Sequence, residues 1–226
     1  DVGIILATEA CSILHIPKKA MGSTVEVVQC GLSSCVLGLE NGRAVTIDAN
    51  REMIELVRRP RHGLVQVAAT ELDQSYAALK DNGSAKFQGA SLDRSTMSRV
   101  ADLTSHVDNF VVLSKAGKIS IVSPYPPTVA EAAFVAQVNA GTALELHHGA
   151  PFGAIVRMDD GTFVIKIASL EGHEVRNDHT HTLRNIVRIE VSYTAILLVF
   201  RDGSAIMYVA TIDSYGIPVC VAAPRS

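Results

Sequence analysis

The stretch Val65-Gln66-Val67-Ala68-Ala69, followed by Ser75-Tyr76-Ala77-Ala78-Leu79-Lys80-Asp81-Asn82-Gly83 and a further run to Phe87, decides the reading of this chain. A β-rich run, a second apolar run, a tight polar turn ending in glycine and another β-rich run together describe a hairpin. Asn-Gly and Asp-Gly are favoured at such corners because the turn needs residues that tolerate positive φ. Glycine does so freely, and asparagine or aspartate at modest cost.

The same unit recurs at Val25 to Ile47, Val100 to Val122, Leu144 to Ile167 and Ile186 to Val209. Its corners read Glu40-Asn41-Gly42, Asp81-Asn82-Gly83, Lys115-Ala116-Gly117, Asp159-Asp160-Gly161 and Arg201-Asp202-Gly203. The turn glycines are 41, 34, 44 and 42 residues apart, close to the length of one four-stranded propeller blade. A shortened copy opens the chain, where Ile5 to Leu14 aligns with Val28 to Leu37 and the turn falls at Lys18-Lys19. Lying about one hairpin ahead of the next copy, it predicts a blade that is truncated or completed from elsewhere. The strand-like run Ile217 to Ala222, paired beside Val2 to Ala7, would close a ring and hide two sheet edges. The expectation is an all-β chain, a single domain over residues 1–226, forming a β-propeller of about six four-stranded blades.

Two connections read as short rim helices. Thr128 and Glu131 fit a capping box ahead of the alanine-rich segment 129–140, with Gly141 as its stop. Asn50 would cap a second helix over 51–59, ended by Pro60.

Nearly half of the 226 residues are apolar and 19% are charged, which predicts a packed globular protein. A formal charge of −3 and a pI near 6.2 offer no broad basic surface for phosphates, so nucleic acid is not an expected partner. The longest strongly apolar stretches, such as Ala195 to Phe200, fall far short of the roughly 20 residues that span a bilayer. Peripheral association with a membrane complex stays open. Cys11, Cys30, Cys35 and Cys220 have neither the density of a disulfide framework nor CxxC spacing, and read as buried free thiols. Residue 1 is aspartate with no leader ahead of it, which leaves the compartment open.

The pattern of V-x-x-hydrophobic, a small-residue run, then apolar-L-x-D-x-G and a strand resembles the repeat of the regulator of chromosome condensation family. Val65 to Gly83 is the closest copy, and the resemblance extends over nearly the whole chain. The family places Trp-Gly shortly after the turn; this chain has no tryptophan, and Phe87-Gln88-Gly89 stands there instead. The resemblance implies a propeller that serves as an interaction platform. Members include exchange factors for a small GTPase, enzyme inhibitors and modules beside catalytic domains. Similar degenerate copies in some algal proteins imply an accessory subunit of an intracellular, organellar assembly.

One segment invites a metal reading: His173-Glu174-Val175-Arg176-Asn177-Asp178-His179-Thr180-His181 holds three imidazoles and two carboxylates. On an extended strand His179 and His181 share a side, but the segment reads as a polar connection between blades, and a solvated loop is expected. His147 and His148 follow Glu145, yet neighbours on a strand face opposite ways and do not chelate one ion. The cluster Arg58-Arg59-Pro60-Arg61-His62 reads as a solvated helix end that would suit an acidic partner or a lipid surface. With no phosphate loop, nucleophile elbow or HExxH helix in the sequence, no catalytic, cofactor-binding or metal-binding residue is assigned and no cofactor is expected. The functional expectation is a non-catalytic scaffold with a protein partner. Its alternatives are an enzyme or ligand-binding propeller with its site at a channel mouth, and an exchange factor.

Overall fold

The fold was obtained as a computed structural model. It describes residues 4–7, 13–16, 22–30, 34–48, 53–57, 63–70, 75–89, 92, 95–106, 109–147, 153–171, 174–191, 195–212 and 218–222. The chain divides into two compact units, Asp1–Leu103 and Thr104–Ser226.

The first unit opens with β1 (Ile4–Ala7) and β2 (Ile13–Ile16), an antiparallel pair that is the shortened first copy. A four-stranded antiparallel sheet follows, with β3 (Val25–Cys30), β4 (Ser34–Leu39), β5 (Ala44–Asp48) and β6 (Met53–Val57) in chain order. The next sheet holds β7 (Leu64–Ala69), β8 (Tyr76–Lys80), β9 (Ala85–Gln88) and β10 (Ser95–Met97). β11 (Val100–His106) runs across the boundary and forms a three-stranded sheet with β12 (Asn109–Ser114) and β13 (Ile119–Val122). After α1 (Val129–Asn139), the second unit adds β14 (Ala143–His147), β15 (Gly153–Met158), β16 (Phe163–Glu171) and β17 (Glu174–Leu183) as one sheet. Its last sheet is β18 (Ile186–Val191), β19 (Ala195–Phe200), β20 (Ala205–Ile212) and β21 (Pro218–Ala222).

Every one of the five sequence-read corners is a hairpin turn, with glycine φ between 71° and 84°. Each glycine N–H donates to the carbonyl three residues back, as Gly83 does to Lys80 at 2.9 Å. That residue's own N–H then donates to the carbonyl beyond the glycine, as Lys80 does to Ser84 at 2.9 Å. This is a turn closed by a glycine bulge, in which only glycine takes positive φ. The corner asparagines and aspartates therefore have a different role from the one expected. Asn41, Asn82, Asp160 and Asp202 each accept, on Oδ1, the N–H two residues ahead, at 2.9–3.1 Å. Where Ala116 breaks the pattern, Ser114 Oγ accepts the corresponding Lys118 N–H at 3.2 Å.

The first strands repeat as well. In β3, β7, β14 and β18 the register slips after the first residue, leaving Glu26, Val65, Leu144 and Val187 as bulge residues. All of them are exposed. A further link joins successive copies: Val100 N–H donates to Gly83 O and Ala143 N–H to Gly117 O, both at 2.9 Å.

The middle strands are buried on both faces, which accounts for their nearly continuous apolar runs. Val36 packs with Leu64, Val67 and Tyr76, whereas adjacent Leu37 packs with Leu39, Val45 and Ile47. In the second unit Val156 and Val164 join Phe134, Val138 and Leu146, while Ile155 and Ile165 join Ile196, Leu198 and Tyr208.

The helix over 129–140 is present as α1, with both arms of the Thr128–Glu131 capping box. It stands where the third sheet lacks a fourth strand. Ile119 on β13 donates its N–H to Asn139 Oδ1 at 2.8 Å and accepts from Asn139 Nδ2 at 2.9 Å, so a side-chain amide does the pairing of an absent strand. Lys118 Nζ donates to the carbonyls of Asn139 and Gly141, closing the helix end.

Two expectations are corrected. The segment read as a helix over 51–59 contains β6, whose Met53, Ile54, Glu55 and Val57 pair with β5; its helical signals were local, and the waiting sheet edge outweighs them. The C-terminal run forms β21, paired on β20 as the last strand of its sheet, and β1 pairs with β2; residues 2 and 3 of the expected closure lie outside the described residues. Cys35 is disulfide-bonded, not a free thiol; the β3–β4 register, invisible in residue spacing, sets the backbones of Cys30 and Cys35 opposite each other.

Candidate functional site

The second unit carries a cleft of about 620 Å³ between its last two sheets. β14 supplies Glu145 and His147, β15 supplies Arg157, the β15–β16 corner supplies Asp160 and Gly161, and β16 supplies Phe163. The other wall is Arg184 and Asn185, the β18 residues Ile186 to Ile189, and Arg201 from the β19–β20 corner. A neighbouring hollow shares Arg184, Asn185 and Arg201.

Local structure sets these positions. Asn185 takes a left-handed φ of 61° immediately before β18, and its carbonyl accepts the Arg201 N–H at 2.8 Å, so the start of β18 and the next corner are held together. The bulge then turns Val187 outward to 57% exposure.

Charge pairs line the cleft, and one of them, Arg184 with Asp160, joins its two walls. Arg157 meets Glu145 at 3.5 Å and Arg184 meets Asp160 at 3.3 Å, while Arg188 meets Glu190 at 2.6 Å. All six side chains are about half exposed or more, so these pairs are weak and solvent-screened. Hydrogen bonds from the Thr162 hydroxyl and N–H, with Arg184 contributing less, hold Asp160 below the ordinary carboxylate range. Arg201 has no ion pair among the described residues.

A second polar group lies inside the same unit. Lys166 is 1% and His106 3% exposed, beside buried Thr104 and Ser105. Burial first, and the positive charge of Lys166 second, push His106 from 6.5 down to about 3, so the imidazole is neutral at physiological pH.

The histidine segment singled out in the sequence is not a polar connection but strand β17, whose His179 and His181 lie opposite Ile167 and Ile165 of β16. Pairing along β16 overrides its polar composition. The exposed His181 ring lies 6.0 Å from that of Tyr208; His173 lies outside the described residues. No group of three metal-ligating side chains occurs among the described residues. His147 lines the cleft with its ring 6.0 Å from Phe163, while His148 and the cluster Arg58 to His62 lie outside the described residues. The arginines were missed because they form no run in the sequence and meet only through the pairing of the strands that carry them.

No protein-family model and no curated protein sequence matches this chain. Solved structures do match. Prp20p from Saccharomyces cerevisiae aligns with a TM-score of 0.57 at 11% identity, over 94% of this chain and 66% of that one. Yeast RCC1 (Prp20), solved with Kap60, gives 0.56 at 10% identity, over 92% and 63%. Human WBSCR16 gives 0.54 at 12% identity, over 88% and 67%. The chain thus spans about two thirds of the length of these structures, and at such identities the likeness concerns the fold alone. That fold is an all-β propeller. No helix of the described residues is long and apolar enough to cross a membrane.

Proposed function

We propose that this propeller is a non-catalytic interaction platform, a scaffold or accessory subunit that holds a protein partner. The observation that carries the reading is the exposed cleft of the second unit, where paired surface charges stand beside the partly exposed apolar residues Ile186 and Ile189. A polar rim around apolar contacts is the general anatomy of a protein interface. The exposed bulge residues Val65, Leu144 and Val187 add apolar side chains at equivalent places in three copies. Propellers of like fold support it: the Prp20p study concerns binding to Gsp1p and histones, and yeast RCC1 was solved bound to Kap60. A role on an organellar complex belongs to the same reading, as does kinship with the regulator of chromosome condensation repeats.

Gentle purification of the tagged protein from its native cells, followed by cross-linking, tests it. A stoichiometric neighbour whose cross-links map to the second unit is expected. A free monomer with no such neighbour would remove the proposal.

A further inference from the structure

We infer that the arginine-lined cleft receives an acidic, extended segment of a partner protein. The inference rests on the interaction reading above and supplies its chemistry. Four arginines, Arg157, Arg184, Arg188 and Arg201, line the cleft, and three carboxylates pair with them, Glu145 and Asp160 in the lining and Glu190 beside it, which leaves one positive charge in excess. The chain as a whole carries a formal charge of −3, so this local excess runs against the sign of the molecule. Gathering guanidinium groups in one concavity is repulsive, and the attraction of an incoming anion offsets it.

Three of these arginines hold exposed carboxylates that an incoming glutamate or aspartate displaces readily, since such pairs are weak. Arg201 needs no exchange at all, having no ion pair among the described residues. The guanidinium fork matches a carboxylate with two parallel hydrogen bonds.

The apolar residues of the lining point to a peptide. Ile186 and Ile189 with exposed Val187 offer contacts to aliphatic side chains, and about 620 Å³ exceeds what a single small anion fills. The bulge at Val187 interrupts the edge of β18, so recognition proceeds through side chains and not by addition of a strand. Single-stranded nucleic acid fits less well. It needs exposed aromatic platforms for its bases, whereas Phe163 is the aromatic residue of the lining outside His147 and is buried.

The test is fluorescence anisotropy of the full chain with a short labelled peptide alternating glutamate and leucine. Its comparisons are the same peptide with glutamine for glutamate, and an oligothymidine of equal charge. The glutamate peptide binds, weakens as salt rises, and binds at least about tenfold more tightly than the glutamine peptide. Arg201→Glu weakens it at least about fivefold, whereas Lys115→Glu, the same charge change at the equivalent corner of another copy, changes it less than about twofold. Equal effects of the two substitutions, equal binding of the glutamine peptide, or tighter binding of oligothymidine would each overturn the assignment. A native partner kept in full by the Arg201→Glu protein would overturn it while leaving the platform reading intact. Peptide binding with the expected pattern in a protein that has no stoichiometric neighbour would support the cleft chemistry and defeat the platform reading.

Discussion

At the corners, one glycine and one side-chain oxygen define the hairpin. Gly117 and Gly203 share a positive φ, 71° and 84°, yet their surroundings differ. A Cβ on Gly117 would lie 2.4 Å from Thr142 Cγ2, whereas one on Gly203 meets nothing within 4 Å. Gly203→Ala should therefore cost only the backbone penalty of about 1 kcal/mol, and Gly117→Ala roughly 2–4 kcal/mol once overpacking is added. Urea denaturation of the two variants measures the difference; equal losses would mean that Thr142 gives way freely. These glycines were legible in the sequence because a turn imposes its backbone requirement on a few consecutive residues. The partnership of Asn82 with the Ser84 N–H was misread as tolerance of positive φ. Composition favours asparagine either way, and only the turn geometry separates the two causes.

The elements show how far local signals reach. α1 was readable because Thr128 and Glu131 act within its first turn, whereas at its other end the cap is Ala140 and Gly141 takes no left-handed φ. β6 was not, because Met53 to Val57 is assigned to a strand by the edge of β5, which lies outside any local window. β17 shows the same: His179 and His181 stand on a strand because β16 is there to pair with them. The cleft was illegible for a related reason, since Arg157, Arg184, Arg188 and Arg201 come together only once register is set. One element-level prediction concerns Asn139, whose amide makes both bonds to Ile119. Asn139→Ala should cost roughly 1–3 kcal/mol by leaving a partly buried edge unpaired. Gln137→Ala, which removes an exposed bond to Thr182, should stay within about 0.5 kcal/mol. Thermal denaturation of both variants decides, and equal losses would show that the edge needs no partner.

For the whole molecule, the buried polar centre makes stability depend on pH. His106 is held at about 3 when folded and takes up a proton near 6.5 when unfolded. Between those values the unfolded chain binds a proton that the folded chain refuses, so the contribution is complete above about pH 6.5 and declines as pH falls towards 3. The stability difference between the natural protein and His106→Leu should therefore change across that window with a slope approaching one proton. Denaturation series at several pH values measure it, and parallel curves would mean that His106 carries no such linkage.

The carbonyls of Gly83 and Gly117, which receive the first N–H of the sheet that follows, have a consequence for growth of the array. These two modules, beginning at Val100 and Ala143, start where the corner of the predecessor dictates, across connections of different length. What lies between the anchor points differs accordingly: from Gly83 to Val100 it holds the strands β9 and β10, and from Gly117 to Ala143 it holds β13 and the helix α1. A strand in one module and a helix in another thus fill the same interval between fixed ends, and units of unequal length keep a common starting point.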